Sequence, residues 1–221
     1  MSEKLKKLAA SKNTTWEQLF ELIEEGSEYA EIVIKNPNAD AFLIRLAYQA
    51  LLNDGYGVTV SAACSVLKNI NVDADLILEV YNDFPDIHTE EDIDYPKENC
   101  YPVLLASNSE TPFEIIKKLS DSPYYFVREC LAERTNLQIE IQKKLVDDES
   151  RHVRQILASN PAVDKTVLNL LAKDKEDCVR FKVALHRNTP KLTLQILSKD
   201  DNIIVQKAAS NNKKLNYHSL K

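Results

Sequence analysis

The chain has 221 residues and a net charge of −6, with 44% hydrophobic and 28% charged residues, a balance that suits one globular domain or two small ones. Only three residues are glycine, Gly26, Gly55 and Gly57, where average usage of about 7% would place roughly fifteen. That scarcity argues against a hairpin-rich β fold and removes glycine-loop phosphate chemistry, and no run reaches the roughly eighteen apolar residues of a membrane span.

In chain order, Met1 to Lys7 leads into a polar stretch, Ser11 to Thr15, instead of an apolar signal core. Cys64, Cys100, Cys130 and Cys178 are scattered, with no Cys-x-x-Cys pair. Both features point to reduced thiols and a cytoplasmic location. Residues 1–82 are expected to form irregular helical repeats. Lys35 to Ile44 returns 33 residues later as Lys68 to Ile77, Tyr48 is matched by Tyr81, and an earlier copy begins near Leu8-Ala9. In that copy Thr15-Trp16-Glu17-Gln18-Leu19 answers Pro112-Phe113-Glu114-Ile115-Ile116. Residues 83–102 read as an acidic insertion or bend, with seven acids and little periodicity. Its Asp92-Ile93-Asp94 lacks the glycine that a calcium loop needs for its turn.

Residues 103–221 carry regular repeats with a period of 26. Val127-Arg128, Val153-Arg154, Val179-Arg180 and Val205-Gln206 form one column, and Leu119, Leu145, Leu171 and Leu197 a second. Leu105, Leu131, Leu157 and Val183, each followed by alanine, form a third. Within a unit, Val153, Ile156 and Leu157 fall at helical spacing, as do Val167, Leu168 and Leu171, so each unit is a pair of short helices. Thr111-Pro112 and Thr189-Pro190 place a hydroxyl at the N-cap of the second helix and proline at its first position. Helices this short gain stability by stacking on their neighbours. The expected fold is all-α, a solenoid of two-helix repeats whose last copy, Ala208 to Lys214, turns polar like a cap.

Leu157-Ala158-Ser159-Asn160-Pro161, a helix over Thr166 to Lys173, an acidic turn and then Val179-Arg180 together resemble the leucine-rich repeat variant family. Thr111 to Leu119 resembles that family's helix start. The resemblance covers about 101–215 and, loosely, 8–82. It implies a right-handed α-solenoid similar to HEAT-type helical repeats. Related sequences are bacterial proteins of undefined role, so the resemblance implies a fold and no function. Family members can carry an iron–sulfur cluster on an N-terminal cysteine cluster. This chain has no such cysteines, and no cofactor is expected.

Arg128, Arg154 and Arg180 recur along one face, with Lys117, Lys118, Lys143, Lys144 and Arg151 nearby. Two readings are open. The arginines form a basic ladder for phosphates or an acidic peptide, or each pairs with a carboxylate in a neighbouring turn, such as Asp147, Asp148 or Glu149, and braces the stack. Residues 1–100 hold 19 acids and 8 Lys/Arg, and residues 101–221 hold 15 and 20. That split offers separate faces to basic and acidic partners, or simply keeps a long protein dissolved.

Asn108, Arg134, Asn160, His186 and Asn212 form a column that reads as helix C-caps in the left-handed conformation. Phe126, His152, Cys178 and Ile204 form another. Two soft ligands invite a metal reading, but two are too few, and packing is the expected role. Trp16, Tyr124, Tyr125 and Phe126 are able to stack on bases, yet their expected role is also packing. No Gly-x-Ser-x-Gly, His-Glu-x-x-His or P-loop occurs, and the four histidines find no triad partners. The expected function is a non-catalytic, monomeric scaffold that binds a protein partner through its repeat surface. Nucleic-acid binding by the basic half is the alternative, and no membrane contact is expected.

Overall fold

The structure, a computed structural model, describes residues 3–54, 60–85 and 100–212. Among them are fifteen α-helices, one short 3₁₀ turn and no strand, so the fold is all-α. Gly55 and Gly57, Asp92 to Asp94 with most of the acidic stretch, and Lys213-Lys214 of the expected cap lie outside the described residues. The chain divides into two compact units, Met1–Ile116 and Lys117–Lys221. That division follows compactness, whereas the expected boundaries at 82 and 102 follow the change in repeat regularity.

In the first unit the helices come in pairs. These are α1 (Glu3–Ala10) with α2 (Trp16–Glu25), α3 (Ala30–Ile34) with α4 (Ala41–Asn53), and α5 (Val60–Lys68) with α6 (Ala74–Asp83), followed by α7 (Tyr101–Ser107). The second helix of each pair opens at a side-chain cap. Thr15 and Gln18 form a capping box on α2, the Thr15 N–H donating to Gln18 Oε1 at 3.0 Å. Asp40 accepts from the Leu43 N–H at 2.9 Å, and Asp73 from the Leu76 N–H at 2.8 Å. Behind each cap an apolar stripe at helical spacing is buried: Leu19, Leu22 and Ile23 in α2, Leu43, Ile44 and Ala47 in α4, Leu76, Ile77 and Val80 in α6. First helices pack in the order α1, α3, α5, α7, and α2 packs on α4.

Helix α8 (Phe113–Leu119) is followed by pairs at the constant period: α9 (Tyr125–Glu133) with α10 (Ile139–Val146), α11 (Arg151–Ser159) with α12 (Lys165–Leu171), and α13 (Asp177–Leu185) with α14 (Lys191–Leu197). Helix α15 (Ile203–Asn211) closes the series. In this second unit α9, α11, α13 and α15 pack in succession as one layer, and α10 packs on α12 in the other. The sequence columns meet in the core. Leu145, Leu171 and Leu197 are at most 1% exposed, and so are Leu131, Leu157 and Val183. Ala132, Ala158 and Ala184 are fully buried, and their small side chains let the first helices approach closely.

The asparagine column does cap helices, but not as expected. Asn160 has φ −66° and ψ 121°, and His186 −69° and 128°, extended backbone and not the left-handed region. Asparagine is used instead for its amide. Asn160 Nδ2 donates to the carbonyls of Ala132 at 2.7 Å and Arg134 at 2.8 Å, one repeat back, while its Oδ1 accepts from the Ala162 N–H at 2.9 Å. Asn36 reaches Ala9 and Ser11 in the same way, and Asn69 reaches Ile34 and Asn36. His186 copies the pattern with a ring. Its Nδ1 accepts from the Asn188 N–H at 3.1 Å, so Nε2 carries the proton and donates to the Asn160 carbonyl at 3.0 Å. Buried carbonyls left open at each helix end are thus satisfied by the next repeat.

The Thr-Pro reading also changes. Pro190, without a side-chain cap, holds the N-cap position of α14. The Thr189 hydroxyl donates backwards to the Val183 carbonyl at 2.6 Å, and Thr111 to the Leu105 carbonyl at 2.7 Å. These hydroxyls close the preceding helix and do not open the next.

Candidate functional site

Of the two readings for Arg128, Arg154 and Arg180, the geometry is that of the brace. Arg154 Nε and Nη2 donate to the Asp174 carboxylate at 2.7 and 3.1 Å, and Nη1 donates to the Asp148 carbonyl at 2.7 Å. Arg128 meets Asp148 at 2.7 and 3.0 Å, with Glu149 at 3.0 Å, and Arg180 meets Asp200 at 2.7 and 2.8 Å. Each aspartate also accepts the backbone N–H two residues on, from Ser150, Glu176 or Asn202, and so sets the turn that starts the next first helix. One continuous line results, in which each arginine reads a carboxylate twenty residues ahead and a carbonyl six residues behind. Its ends are marked in the sequence. Ser122 stands where the later turns have aspartate, and Gln206 stands where the earlier helices have arginine, donating to the Asp200 carbonyl. The Arg154 and Asp174 side chains are each 5% exposed and bonded to each other, at the floor of a shallow groove of about 420 Å³ that Glu149, Leu170 and Lys173 also line. Bonding to Arg180 holds the Asp200 carboxyl below its ordinary range.

The other sequence candidates separate. Lys117, Lys118, Lys143 and Lys144 are exposed on second helices, whereas Arg151 is exposed at the start of α11, in the first-helix layer. Lys117 lies 3.8 Å from Glu140, and Lys144 bonds Ser120 Oγ at 2.9 Å and pairs with Asp121, so this part of the surface is partly self-neutralised. On the first-helix side a shallow groove of about 420 Å³ is lined by Glu129, Glu133, His152, Gln155, Ile156 and Lys182, among others. His152 is exposed, Cys178 half-buried and Ile204 60% exposed, so their column runs along a surface edge and not the core. Among the described residues no three His, Cys, Asp or Glu side chains are grouped to hold a metal ion. The aromatic candidates pack on one another: Trp16 stacks on Phe20 at 5.4 Å and on Phe42 at 6.3 Å, with its Nε1–H on Asp40 at 3.1 Å, and Tyr124 stacks on Phe126 at 5.4 Å.

A different surface stands out when the second helices of the second unit are compared position by position. Five exposed positions of α10 and its following turn hold Ile139, Glu140, Lys143, Lys144 and Asp147. One period later they hold Lys165, Thr166, Asn169, Leu170 and Lys173, and one further on Lys191, Leu192, Gln195, Ile196 and Lys199, all exposed. Both acids have gone. Three of the middle positions have changed from charged to apolar, with Leu170 44%, Leu192 74% and Ile196 66% exposed. Lysine stands at both ends. A hydrogen bond between the Thr193 hydroxyl and Asn169 Oδ1 ties α14 to α12, so the helices that carry Leu170 and the Leu192–Ile196 pair are neighbours. The sequence reading missed this surface because it looked for columns that stay constant. The signal lay in columns that change.

Comparisons with protein-family models, with curated proteins and with solved structures return no match for the chain. Among the described residues no helix is long and apolar enough to cross a membrane.

Proposed function

We propose that the chain is a non-catalytic, monomeric, cytoplasmic repeat scaffold that binds a protein partner. The observation that carries this reading is the solvent-facing strip of Leu170, Leu192 and Ile196, at positions where α10 carries charged residues. Large apolar side chains at positions that a soluble repeat keeps polar mark a protein contact. A nucleic-acid partner is less well supported, because the arginine column is occupied by carboxylates. The repeat signature resembling the leucine-rich repeat variant family belongs to the same proposal, since such stacks offer extended surfaces to partners.

The test is affinity capture from the source cell at physiological salt, comparing the native chain with Leu192→Lys/Ile196→Lys. The native chain is expected to retain a stoichiometric protein that the double variant loses while keeping its helical circular dichroism. Retention of no protein, or of the same protein by both chains, overturns the proposal. Retention of nucleic acid that is lost with Lys143→Glu/Lys144→Glu transfers the function to the basic half.

A further inference from the structure

We infer that the α12–α14 surface recognises an acidic amphipathic helix of the partner protein. This inference rests on the scaffold reading above and adds the chemistry of what docks.

Three features converge on that occupant. The apolar strip is narrow: Leu192 and Ile196 sit one turn apart on α14, and Leu170 occupies the position equivalent to Ile196 on α12. A strip of this width matches the apolar stripe of one helix, whose anchors recur at i, i+3/i+4 and i+7. At the compared positions the rim carries charge of one sign, with acids in the adjoining turns, Asp164 beside Lys165 and Asp174 beside Lys173. Lys165 and Lys191 stand at one end of the strip, Lys173 and Lys199 at the other, all exposed, and none makes an ion pair with a described residue. Among the described second-unit lysines of the preceding second helices, by contrast, Lys117 and Lys144 have acidic partners. The polar middle is uncharged, with Asn169 and Gln195 between the apolar positions, so it repels neither sign. A helix with leucine-type anchors on one face and Asp/Glu flanking them satisfies all three, and steering by the lysines speeds its encounter. An anionic lipid surface shares the charge but fits less well. Interfacial binding draws on a broad apolar face with aromatic side chains, and no aromatic residue occupies the five positions on either helix.

The experiment is a fluorescence-anisotropy titration of the full chain with a labelled synthetic helix of about 20 residues, leucine on one face and glutamate elsewhere. Saturable binding is expected that weakens about tenfold or more between roughly 0.05 and 0.5 M salt. Lys165→Glu/Lys173→Glu/Lys191→Glu/Lys199→Glu should abolish it, and so should Leu192→Glu/Ile196→Glu. Lys117→Glu/Lys118→Glu, which removes lysines outside the strip, should change affinity by less than about twofold. All the substituted side chains are exposed, so circular dichroism should report an unchanged fold.

Equal binding by the four-lysine variant, or loss of binding with Lys117→Glu/Lys118→Glu, overturns the inference. So does equal affinity for a lysine-faced version of the probe, or tighter binding to phosphatidylglycerol vesicles than to the helix. A dimer in sedimentation that dissolves in Leu192→Glu/Ile196→Glu assigns the strip to a second copy and overturns it too. A captured protein that depends on Leu192 and Ile196 but not on the four lysines leaves the scaffold reading standing while this inference fails.

Discussion

Arg154 divides its N–H donors between two turns, the Asp174 carboxylate ahead and the Asp148 and Glu149 carbonyls behind. Each bond to a charged group in this nearly dry setting is stronger than a surface pair, but the guanidinium and carboxylate both had to leave water. Removing one partner is therefore costlier than removing both. Asp174→Ala is expected to lower stability by about 3 kcal/mol in urea denaturation, and Arg154→Met with Asp174→Leu to recover most of that loss. A loss below about 0.5 kcal/mol for the single variant would show that the pair stabilises nothing. Asp200 adds a pH dependence. Its carboxyl titrates below its ordinary 3.8 when folded, because Arg180 donates to it. A carboxyl depressed by folding stabilises at pH above its unfolded value and loses that contribution as pH falls through the folded one. Thermal melts should therefore show Asp200→Asn well below the native chain at neutral pH. The gap should close as the pH drops below about 4.

The helical elements are short, and what holds them is found between neighbours more than within each one. Leu171 is fully buried where α12 meets the helices around it, and Leu171→Ala should cost about 2–5 kcal/mol by denaturation, Leu145→Ala likewise. The asparagine series makes a sharper test. His186→Asn supplies the same acceptor and donor that Asn160 supplies one repeat earlier, so stability should stay within about 0.5 kcal/mol. His186→Ala leaves the Asn160 carbonyl and the Asn188 N–H without these partners and should cost about 2 kcal/mol.

The helices and their buried columns were legible beforehand because a strict 26-residue period exposes every constant position. The punctuation was not. Asparagine serves a left-handed turn and a bridging amide equally well, and the deciding clue was Arg134 in the same column, a residue type that does not favour a left-handed cap. Thr189 misled for a related reason. Its hydroxyl is fully buried at the end of α13, where the Val183 carbonyl needs a donor, and burial cannot be read from a Thr-Pro pair.

At the scale of the molecule, charge alone pointed to the wrong side chains. Arg128, Arg154 and Arg180 look like a ladder when counted as cations and become interior struts once burial and the aspartates twenty residues on are known. The lysines of α12 and α14 became visible only when repeats were compared with each other, because they depart from the charge pattern of α10.

The strut line also sets how the chain can change length. Each arginine of the line meets an aspartate twenty residues on, so copies are expected to be interchangeable only in whole steps. Excising residues 129–154 removes one full period and brings Asp174 to the place that Asp148 holds relative to Arg128. The shortened chain should keep its helical circular dichroism and melt cooperatively. A cut one residue longer or shorter puts a neighbour of Asp174 in that place and should collapse the melt. Within the second unit, copies are thus expected to be gained or lost only in whole periods.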